Sequence, residues 1–522
     1  MHIHERLKSV ADIPRIHGKE RPGSVALDYN GRLTTYGELD ERTSRVAQGL
    51  IVLGQKPGAR VGYLGKNSDR YFEVLFGAFK ARAVIVGVNW RLAPPEIAYV
   101  LGDAGCEVLF VGKEYYAAVE KILPDCPRLK HVIAIDGGHA QWPAFETWRD
   151  AHPAKDPMLP VAPGDDVIQL YTSGTTGHPK GVQLTSANYI AIIRSADEMG
   201  LANYTPDDVV LIAMPIFHVA GVNIGVLTLA HGAHGIVLGD IDPQEILRLI
   251  EQKRISYAFL VPAVILFLTQ QPNVHEIDFS SLKNISYGAS PIAQDLLLAA
   301  KKIMGCDFLQ VYGLTETTGG GTVLAPADHD PALGKLRSCG KPSPGHEVRV
   351  VDAAGRSLPP REVGEIVIRA PNVMKGYWNR PEATEKSIVD KWFYTGDAGY
   401  FDEDGYLYIH DRVKDMIVSG GENIYPAEVE NAIFGHPCVA DVAVIGVPDP
   451  KWGEAVKAVV VKKPGAEADA AAIIAWARER IAGYKLPKSV DFIDALPRNP
   501  TGKILRRELR KPYWEGRDRQ VN

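Results

Sequence analysis

Short apolar runs alternate with amphipathic stretches along the chain up to about residue 410. Runs rich in β-branched residues, such as Arg60–Leu64 and Glu107–Val111, predict buried strands. Each run is followed by apolar residues at helical spacing, over Asp69–Phe79 and Tyr115–Ile122 respectively. Strands that alternate with helices in this way predict an α/β domain with largely parallel sheets.

The pattern changes near residue 348. Glu347–Asp352 and Gly364–Ile368 predict strands separated by turn residues, which indicates a small β-rich subdomain. Asp402–Ile409 carries an Asp-Gly turn, a strong signal for a β-hairpin. A short charged stretch, Asp411–Asp415, follows the hairpin. We therefore expect a large N-terminal domain over residues 1–411, made of packed α/β sheets and this subdomain.

The remaining segment, residues 412–522, has a normal size for a separate domain. Its pattern predicts helices at Ala427–Phe434 and Ala470–Ile481 and strands at Val439–Val447, Ala455–Val461 and Ser489–Phe492. We expect this segment to form a small α+β domain.

Composition excludes several classes of protein. The chain has 522 residues, a net charge of -5, 46% hydrophobic and 23% charged residues, as an ordinary globular protein does. The mild acidity offers no electrostatic basis for binding nucleic acid. Five cysteines without paired spacing predict reduced thiols in a cytoplasmic protein, with no disulfide framework and no metal site. We see no signal peptide and no apolar run long enough to span a bilayer.

The strongest chemical signal is the stretch Tyr171–Gly181, which follows the predicted strand Asp166–Leu170. Its glycines can turn backbone N–H groups toward one point, its hydroxyls add donors and Lys180 adds positive charge, as a polyphosphate requires. The order is not that of a Walker A loop, because Pro179 precedes the lysine and a second predicted strand follows it. A phosphate loop on a hairpin is therefore favoured over a P-loop ATPase or kinase. The structural alternative is a Gly/Ser/Thr turn that binds nothing.

Four further segments carry candidate chemistry: Gln310–Thr317, Trp392–Asp397, Asp411–Pro426 and Pro497–Arg507. Taken singly, each has an ordinary explanation, such as a solvated strand end, a turn aspartate or an inert surface lysine. Beside a phosphate loop, Glu316 has the chemistry of a Mg²⁺ ligand and Tyr312 that of a base-stacking ring. Asp397 can accept both hydroxyls of a ribose.

In order and spacing, these segments resemble the adenylate-forming superfamily of acyl-CoA synthetases, firefly luciferase and peptide-synthetase adenylation domains. The resemblance covers nearly the whole chain, from about Asn30–Leu39 to Lys503. Within the superfamily, Ile409–Glu430 and Pro497–Leu505 look most like bacterial fatty-acyl-CoA synthetases.

The resemblance implies specific roles for the residues of these motifs. ATP would be held through its phosphates by Thr172, Ser173, Gly174, Thr175, Thr176, Gly177 and Lys180. The nucleoside would be held by Gly288, Ala289, Ser290, Tyr312, Gly313 and Thr315, with Asp397 and Arg412 on the ribose. Glu316 would bind Mg²⁺, Lys503 would contact the acid carboxylate and the α-phosphate, Lys414 would be the hinge, and Gly420 and Gly421 would line the coenzyme A tunnel.

The implied reaction has two steps. A carboxylate attacks the α-phosphate to give acyl-AMP, while pyrophosphate leaves; the thiolate of coenzyme A then displaces AMP. Because two anions must meet in the first step, the site has to supply positive charge there, which Lys503 and Mg²⁺ would do. The resemblance implies that the C-terminal domain is mobile and rotates between the steps, as a hinge motion.

The identity of the acid is the least determined part. Met214–Gly221 matches a family segment in which the histidine, here His218, borders the acyl group; a buried packing histidine is the alternative. Small residues at Ala220, Gly221 and Gly319–Gly321 leave space that favours a sizeable hydrophobic acid, above all a medium- or long-chain fatty acid. An aryl or other bulky acid remains an alternative substrate.

Other functions and partners stay open at this point. They are transfer of the acyl group to a carrier protein, a luciferase-like monooxygenase and a non-catalytic nucleotide-binding protein, the last opposed by Glu316 and Lys503. The end of the chain carries a basic tail, which is either a solvated face or a surface for peripheral contact with anionic lipid. Its basic residues are Lys503, Arg506, Arg507, Arg510, Lys511, Arg517 and Arg519. A homodimer is a further open alternative.

Overall fold

The computed structural model describes residues 2–172, 179–199, 204–290, 292–412, 415, 417–419, 422–450, 452–481, 483–498 and 504–515. At 410–412, 418, 422 and 423 it describes the backbone alone.

The helices lie throughout the chain. In chain order the α-helices are α1 (Ile3–Arg6), α2 (Asp12–Glu20), α3 (Tyr36–Val52), α4 (Asp69–Lys80), α5 (Pro94–Ala104), α6 (Tyr116–Ile122), α7 (Phe145–Asp150), α8 (Ser186–Met199), α9 (Val219–Ala230), α10 (Pro243–Gln252), α11 (Pro262–Thr269), α12 (Gln294–Met304), α13 (Pro381–Ser387), α14 (Pro426–Phe434), α15 (Ala470–Arg478) and α16 (Arg506–Trp514). Short 3-10 helices span Lys113–Tyr115, Leu123–Asp125, Val274–Glu276, Thr315–Thr317, Pro326–His329, Pro331–Leu333 and Gly483–Lys485.

The strands are β1 (Val25–Tyr29), β2 (Arg32–Thr35), β3 (Arg60–Leu64), β4 (Val84–Val88), β5 (Val108–Gly112), β6 (His131–Ile135), β7 (Asp166–Thr172), β8 (Lys180–Thr185), β9 (Val209–Ile212), β10 (His234–Val237), β11 (Tyr257–Leu260), β12 (Asn284–Gly288), β13 (Asp307–Tyr312), β14 (Thr322–Leu324), β15 (Lys341–Pro342), β16 (Glu347–Val351), β17 (Gly364–Arg369), β18 (Gly376–Tyr377), β19 (Ile388–Val389), β20 (Trp392–Phe401), β21 (Leu407–Arg412), β22 (Ile417–Ser419), β23 (Glu422–Ile424), β24 (Val439–Asp449), β25 (Gly453–Lys462) and β26 (Ser489–Phe492).

Two large sheets form the α/β part of the molecule. One has seven strands in the order β18-β8-β7-β4-β3-β5-β6, and the other has nine in the order β15-β14-β13-β12-β11-β9-β10-β1-β2. Pairing is parallel from β7 to β6 in the first sheet and from β13 to β1 in the second. The edge strands are antiparallel. Every residue of β3, β4 and β5 is buried, as is typical of parallel sheets covered on both faces.

Helix α4 joins the two sheets, since it packs against β4 of the first and β1 of the second. All of its residues, Asp69–Lys80, are buried. Its charged side chains are therefore paired: Glu73 accepts from Arg149 at 2.7 Å and from Arg70 at 2.6 Å. The largest hydrophobic core runs from this helix into both sheets. The predicted α/β architecture with largely parallel sheets is confirmed.

The β-rich subdomain and the C-terminal unit follow in the predicted places. Antiparallel β16, β17, β20 and β19 form one small sheet, and β21 pairs with β20 across the predicted Asp-Gly turn. The C-terminal unit pairs β24 with β25 and β25 with β26 over a hydrophobic core of its own. Strand β21 ends at Arg412, one residue beyond the boundary predicted after residue 411, and that boundary stays a prediction. Among the described residues, no helix has the length and hydrophobicity that crossing a membrane requires.

Candidate active site

The phosphate-loop candidate sits on a β-hairpin. Strands β7 and β8 run antiparallel, and Thr172 lies opposite Lys180 at the last pair before the loop. Gly181 allows this close pairing, because a Cβ there would lie 2.5 Å from Nε2 of Gln169. The hairpin confirms the strand predicted after the lysine, in place of the helix of a Walker A loop. Ser173, Gly174, Thr175, Thr176 and Gly177 lie outside the described residues.

Glu316 lies close to the open end of this hairpin. It stands in the short 3-10 helix that follows β13, and its side chain is nearly buried, with 9% of the residue exposed. Its Oε1 atom lies 3.5 Å from the Thr172 hydroxyl and accepts a 3.0 Å hydrogen bond from the Tyr377 hydroxyl. The fold therefore brings the predicted metal ligand and the predicted phosphate hairpin together from positions far apart in sequence.

The surroundings of Glu316 suit a hard cation. Among the residues that the structure describes, the Glu316 carboxylate forms no ion pair. Its described polar neighbours are the hydroxyl groups of Thr172 and Tyr377. No group of three or more metal-ligating side chains occurs in the described part of the chain. One carboxylate and a hydroxyl match Mg²⁺, which commonly binds one or two carboxylates together with substrate phosphates. The residues present thus fit a metal that arrives with a nucleotide, and Glu316 would hold it.

Tyr312, four residues before Glu316 in the chain, makes a second contact with a predicted site residue, Asp397. The Tyr312 hydroxyl donates a 2.9 Å hydrogen bond to Oδ2 of Asp397, and each residue is 8% exposed. Burial, together with the charge of Asp397, raises the pKa of Tyr312 well above its ordinary value, so the phenol stays a donor. The backbone of Arg412 lies directly opposite Asp397 in the β20–β21 pair. The candidate adenine and ribose residues therefore form one connected group.

The segment predicted to line the adenine lies beside them. Gly288 ends β12 and pairs with Val311 of β13, so Ala289 and Ser290 leave the sheet next to Tyr312. Gly288 is needed for this approach, because a Cβ there would lie 2.3 Å from the carbonyl oxygen of Val311. Ala289 adopts a left-handed φ of 68°. Carboxyl ends of parallel strands are where open α/β sheets commonly bind ligands.

The turn after β13 is tightly closed. A Cβ on Gly313 would lie 2.4 Å from the backbone of Gly319, and the backbone N–H of Thr317 donates to the carbonyl of Leu314 at 3.0 Å. Thr315 begins the 3-10 helix of this turn. Gly313 and Thr315 thus hold Glu316 close to the end of β13.

The acyl-pocket candidates lie at the start of helix α9. His218 is the residue before the helix, and its ring lies 4.5 Å from that of Phe217. Asn223, one turn further, donates from Nδ2 to the carbonyl of Thr318 at 2.8 Å. A Cβ on Gly319 would lie 2.8 Å from the same Asn223 nitrogen. The start of α9 and the Gly319–Gly321 run are therefore neighbours. The run does not leave the open space that the sequence suggested, because a Cβ on Gly320 would lie 2.7 Å from Cδ1 of Ile192 and one on Gly321 would lie 2.9 Å from the carbonyl oxygen of Tyr312.

Gly221 has a different explanation from the one the sequence suggested. A Cβ at this position would lie 2.3 Å from the carbonyl oxygen of Pro215 and 2.4 Å from that of Met214. The glycine is therefore required because the helix approaches the preceding backbone closely. It leaves no open space and gives no support to a large acid.

Two residues that contact Glu316 or its turn were not predicted from the sequence: Tyr377 and Asn372. The amide of Asn372 donates to the carbonyls of Thr317 and Gly320 at 2.5 Å and 3.1 Å. Both residues lie in a turn-rich stretch without helical or strand periodicity. A single sequence carries no signal for contacts of this kind.

Several predicted residues lie outside the described part of the chain: Lys414, Gly420, Gly421 and Lys503, together with the side chain of Arg412. Two described residues that flank Lys503 in the chain, Arg498 and Ile504, pair in an antiparallel β-bridge. Leu505 also donates its N–H to the carbonyl of Pro497 at 2.8 Å.

Residues 15–378 match the family model of the AMP-binding enzyme, and residues 428–503 match that of the AMP-binding enzyme C-terminal domain. The chain belongs to the AMP-binding enzyme family. This confirms the resemblance to adenylate-forming enzymes, and with it a nucleotide site for ATP. The AMP-binding enzyme described here is an acid–thiol ligase of the acyl-CoA synthetase class.

Relatives with established names are similar over their full lengths. A feruloyl-CoA synthase of an Amycolatopsis species is 42% identical over 97% of this chain and 100% of that protein. A fatty acid–[acyl-carrier-protein] ligase of Streptomyces coeruleorubidus is 40% identical over 99% of this chain and 99% of that protein. These AMP-binding enzymes are named for different acids.

Solved structures of other AMP-binding enzymes share the fold. An anthranilate CoA ligase in complex with anthranoyl-AMP matches with a TM-score of 0.90 and 27% identity over 98% of both chains. A fatty acyl CoA synthetase of Mycobacterium tuberculosis matches with a TM-score of 0.77 and 34% identity over 97% of this chain and 98% of that chain. The large α/β domain followed by a small C-terminal domain is therefore the architecture of this family.

Proposed function

We propose that this enzyme activates a hydrophobic carboxylic acid, most favourably a medium- or long-chain fatty acid, and joins it to coenzyme A. The observation that carries the proposal is that the end of β13 and the turn after it make both contacts: Glu316 meets Thr172, and Tyr312, four residues earlier, meets Asp397. A carboxylate for a metal, a phosphate hairpin and a ribose acceptor then lie at one end of the parallel strands. That arrangement suits an ATP whose α-phosphate is the reacting centre.

In the first step, an oxygen of the acid attacks the α-phosphorus, a P–O bond to the acid forms and the P–O bond to pyrophosphate breaks. Thr172 and Lys180 would bind the leaving pyrophosphate at the hairpin, and Asp397 would orient the ribose. The reacting groups are both anionic, so positive charge is needed between them. Lys503 would supply it from the C-terminal domain, and a Mg²⁺ ion on Glu316 would neutralise phosphate charge.

In the second step, the sulfur of coenzyme A attacks the acyl carbon, a C–S bond forms and the C–O bond to AMP breaks. The two steps need different groups beside the acyl carbon, a lysine first and a thiol afterwards. Rotation of the C-terminal domain about Lys414 would exchange them, and Gly420 and Gly421 would then line the path of the thiol. The resemblance to acyl-CoA synthetases supports this assignment.

The acid is proposed from the chemistry of helix α9. Its sequence over Val219–Ala230 is almost wholly apolar, and it begins beside Glu316's turn, where His218 would border the acyl carbon. A fatty acid is favoured because a fatty acid ligase and a fatty acyl CoA synthetase are among the relatives and structures of high coverage. An aryl acid is the second candidate, favoured by the 42% identical feruloyl-CoA synthase.

A carrier protein is the alternative acceptor, favoured by the 40% identical fatty acid–[acyl-carrier-protein] ligase. Peripheral contact with anionic lipid has less support than the sequence suggested. Of the basic residues on α16, Arg506 pairs with Glu430 at 2.8 Å and Arg510 with Asp415 at 2.6 Å, which leaves fewer charges for a lipid surface. A homodimer and a cytoplasmic location stay predictions.

The decisive experiment is a screen of pyrophosphate release with ATP and Mg²⁺ over straight-chain acids from acetate to palmitate and over ring acids such as ferulate. Each active acid is then tested for thioester formation with coenzyme A and with a purified acyl carrier protein. We expect the rate to rise with apolar length and the thioester to form on coenzyme A. A preference for acetate or propionate would reject the hydrophobic acid, and no release with any acid would reject the activity.

A further inference from the structure

Tyr377 contacts two side chains of the proposed site: Glu316, which would hold the metal, and Lys180, which would bind the phosphates. We infer that it is a positioning residue, whose hydroxyl orients the Glu316 carboxylate and whose ring holds the Lys180 ammonium. This inference rests on the proposed function and adds to it a residue outside the motifs of the sequence.

The hydroxyl contact is the more specific of the two. The Tyr377 O–H donates to Oε1 of Glu316 at 3.0 Å, at the upper end of the normal range for an O–H···O hydrogen bond. The Thr172 hydroxyl reaches the same oxygen only at 3.5 Å. Hydrogen bonds from such neighbours fix the orientation of metal-ligating carboxylates, and their loss typically costs 10–100-fold in metal affinity. Of the two described hydroxyls near the carboxylate, that of Tyr377 therefore makes the closer contact.

The ring contact lies on the hairpin side. The Lys180 Nζ atom stands 5.0 Å from the centroid of the Tyr377 ring, within the range of a cation–π interaction. Lys180 lies opposite Thr172 at the end of the β7–β8 pair, where the phosphate loop begins. One aromatic side chain thus sets the distance between the candidate metal ligand and the candidate phosphate lysine.

Tyr377 can do this because its own backbone is fixed to the hairpin. It pairs with Val182 in the β18–β8 ladder, and its N–H donates to Oγ1 of Thr384 at 2.9 Å. The next residue, Trp378, donates its N–H to the carbonyl of Gly181 at 2.8 Å. A side chain on so rigid a backbone is preorganised for its contacts.

The same segment also holds the turn that carries Glu316. The N–H of Met374 donates to the carbonyl of Glu316 at 2.7 Å, and the Thr318 hydroxyl donates to the carbonyl of Asn372 at 2.7 Å. Thr318 has a left-handed φ of 47°, a conformation that a threonine keeps only with such support. Residues 372–378 therefore connect the phosphate hairpin with the metal-ligand turn, and Tyr377 contacts functional side chains of both.

The experiment compares Tyr377→Phe, Tyr377→Ala and a control, Tyr400→Phe. Tyr400 stacks on Tyr408 with ring centroids 5.0 Å apart, in the β-rich subdomain. Calorimetry measures binding of a non-hydrolysable ATP analogue to each full-length protein, without metal and over a series of Mg²⁺ concentrations. Two further measurements are the melting temperature and thioester formation from preformed acyl-AMP and coenzyme A, a step without phosphate transfer.

For Tyr377→Phe we expect metal-free binding of the analogue to stay within about twofold, while the Mg²⁺ concentration for half-maximal effect rises about tenfold. Tyr377→Ala also loses the ring, so metal-free binding should weaken by about two- to fivefold. Thioester formation from acyl-AMP should be unchanged in the phenylalanine variant, and Tyr400→Phe should match the wild type throughout.

The inference would be overturned if Tyr377→Phe needed the same Mg²⁺ concentration as the wild type for the half-maximal effect on analogue binding. It would also be overturned if Mg²⁺ did not change analogue binding to the wild type. A fall in melting temperature with equal loss of metal-free analogue binding and of thioester formation would show a merely structural role and would also overturn it. Failure of the proposed function looks different, because the wild type would then release no pyrophosphate with any acid.

Discussion

The hydroxyl of Tyr312 donates a 2.9 Å hydrogen bond to the carboxylate of Asp397, across 85 residues of chain. Tyr312 ends strand β13 of the nine-stranded sheet, and Asp397 lies in β20 of the β-rich subdomain. The backbone N–H of Asp397 also donates to Oγ1 of Thr395 at 3.0 Å. The bond therefore joins two structural units at the place where we propose that the nucleoside binds.

Removing the Tyr312 hydroxyl should weaken the binding of ATP. In Tyr312→Phe the ring remains, but Asp397 loses the donor that orients it; a hydrogen bond to a charged group contributes about 1.5–3 kcal/mol. We expect the KM for ATP in pyrophosphate release to rise roughly tenfold, with a smaller change in kcat. Tyr406→Phe is a matched control, because it removes a 2.9 Å hydrogen bond to another aspartate, Asp328. Equal KM values for Tyr312→Phe and the wild type would contradict the prediction.

Lys503→Ala should separate the two half-reactions. If the lysine acts only where the acid carboxylate meets the α-phosphate, its loss removes charge from the first transition state and leaves the second step intact. We expect acyl-AMP formation to fall by at least about a hundredfold, while preformed acyl-AMP and coenzyme A still give thioester at a rate near that of the wild type. Equal loss of both steps would reject the proposed domain rotation.

The sequence predicted those features that depend on periodicity and local chemistry. The fully buried strand β3 has an apolar pattern, and β8 is recognisable because Lys180 is followed by alternating apolar and polar residues, Val182–Thr185, rather than by a helical pattern. No local pattern in the sequence signals the contacts of Tyr377 and Asn372. Each residue contacts a turn that lies some 60 residues earlier in the chain and comes close to it only in the folded protein. Gly221 was misinterpreted for a different reason: Met214 and Pro215 are near it in the chain, but their carbonyl groups crowd it only once the turn before α9 has formed.

His17 should make the folded protein sensitive to acid. Its Nε2 lies 2.7 Å from the carbonyl oxygen of Ala230 and so carries the proton, while the buried Nδ1 has no partner among the described residues. Burial is the main reason that the pKa of His17 is lowered from 6.5 to about 4. Between these values the unfolded chain binds the extra proton and the folded one does not, so stability falls as the pH drops from 6.5 to 4. The total loss is about 3 kcal/mol.

The check is urea denaturation of the wild type and His17→Gln at several pH values between 4 and 7.5. Glutamine keeps an N–H donor for Ala230 but does not titrate. We expect the variant to be less stable at pH 7.5 and to lose less stability on acidification. Parallel pH profiles of the two proteins would show that His17 is not a source of the acid sensitivity.

Gly221→Ala should destabilise the protein although alanine is the better helix former. The added Cβ would lie 2.3 Å and 2.4 Å from the carbonyl oxygens of Pro215 and Met214, which cannot rotate away as a side chain could, and such overpacking typically costs about 1–3 kcal/mol. Gly102→Ala in α5 is the matched control, because nothing lies within 4 Å of its Cβ position; it should stabilise by about 0.5–1 kcal/mol. Urea midpoints measure both effects. A stable Gly221→Ala enzyme with a shifted preference for acid length would instead restore Gly221 as a residue of the acyl pocket.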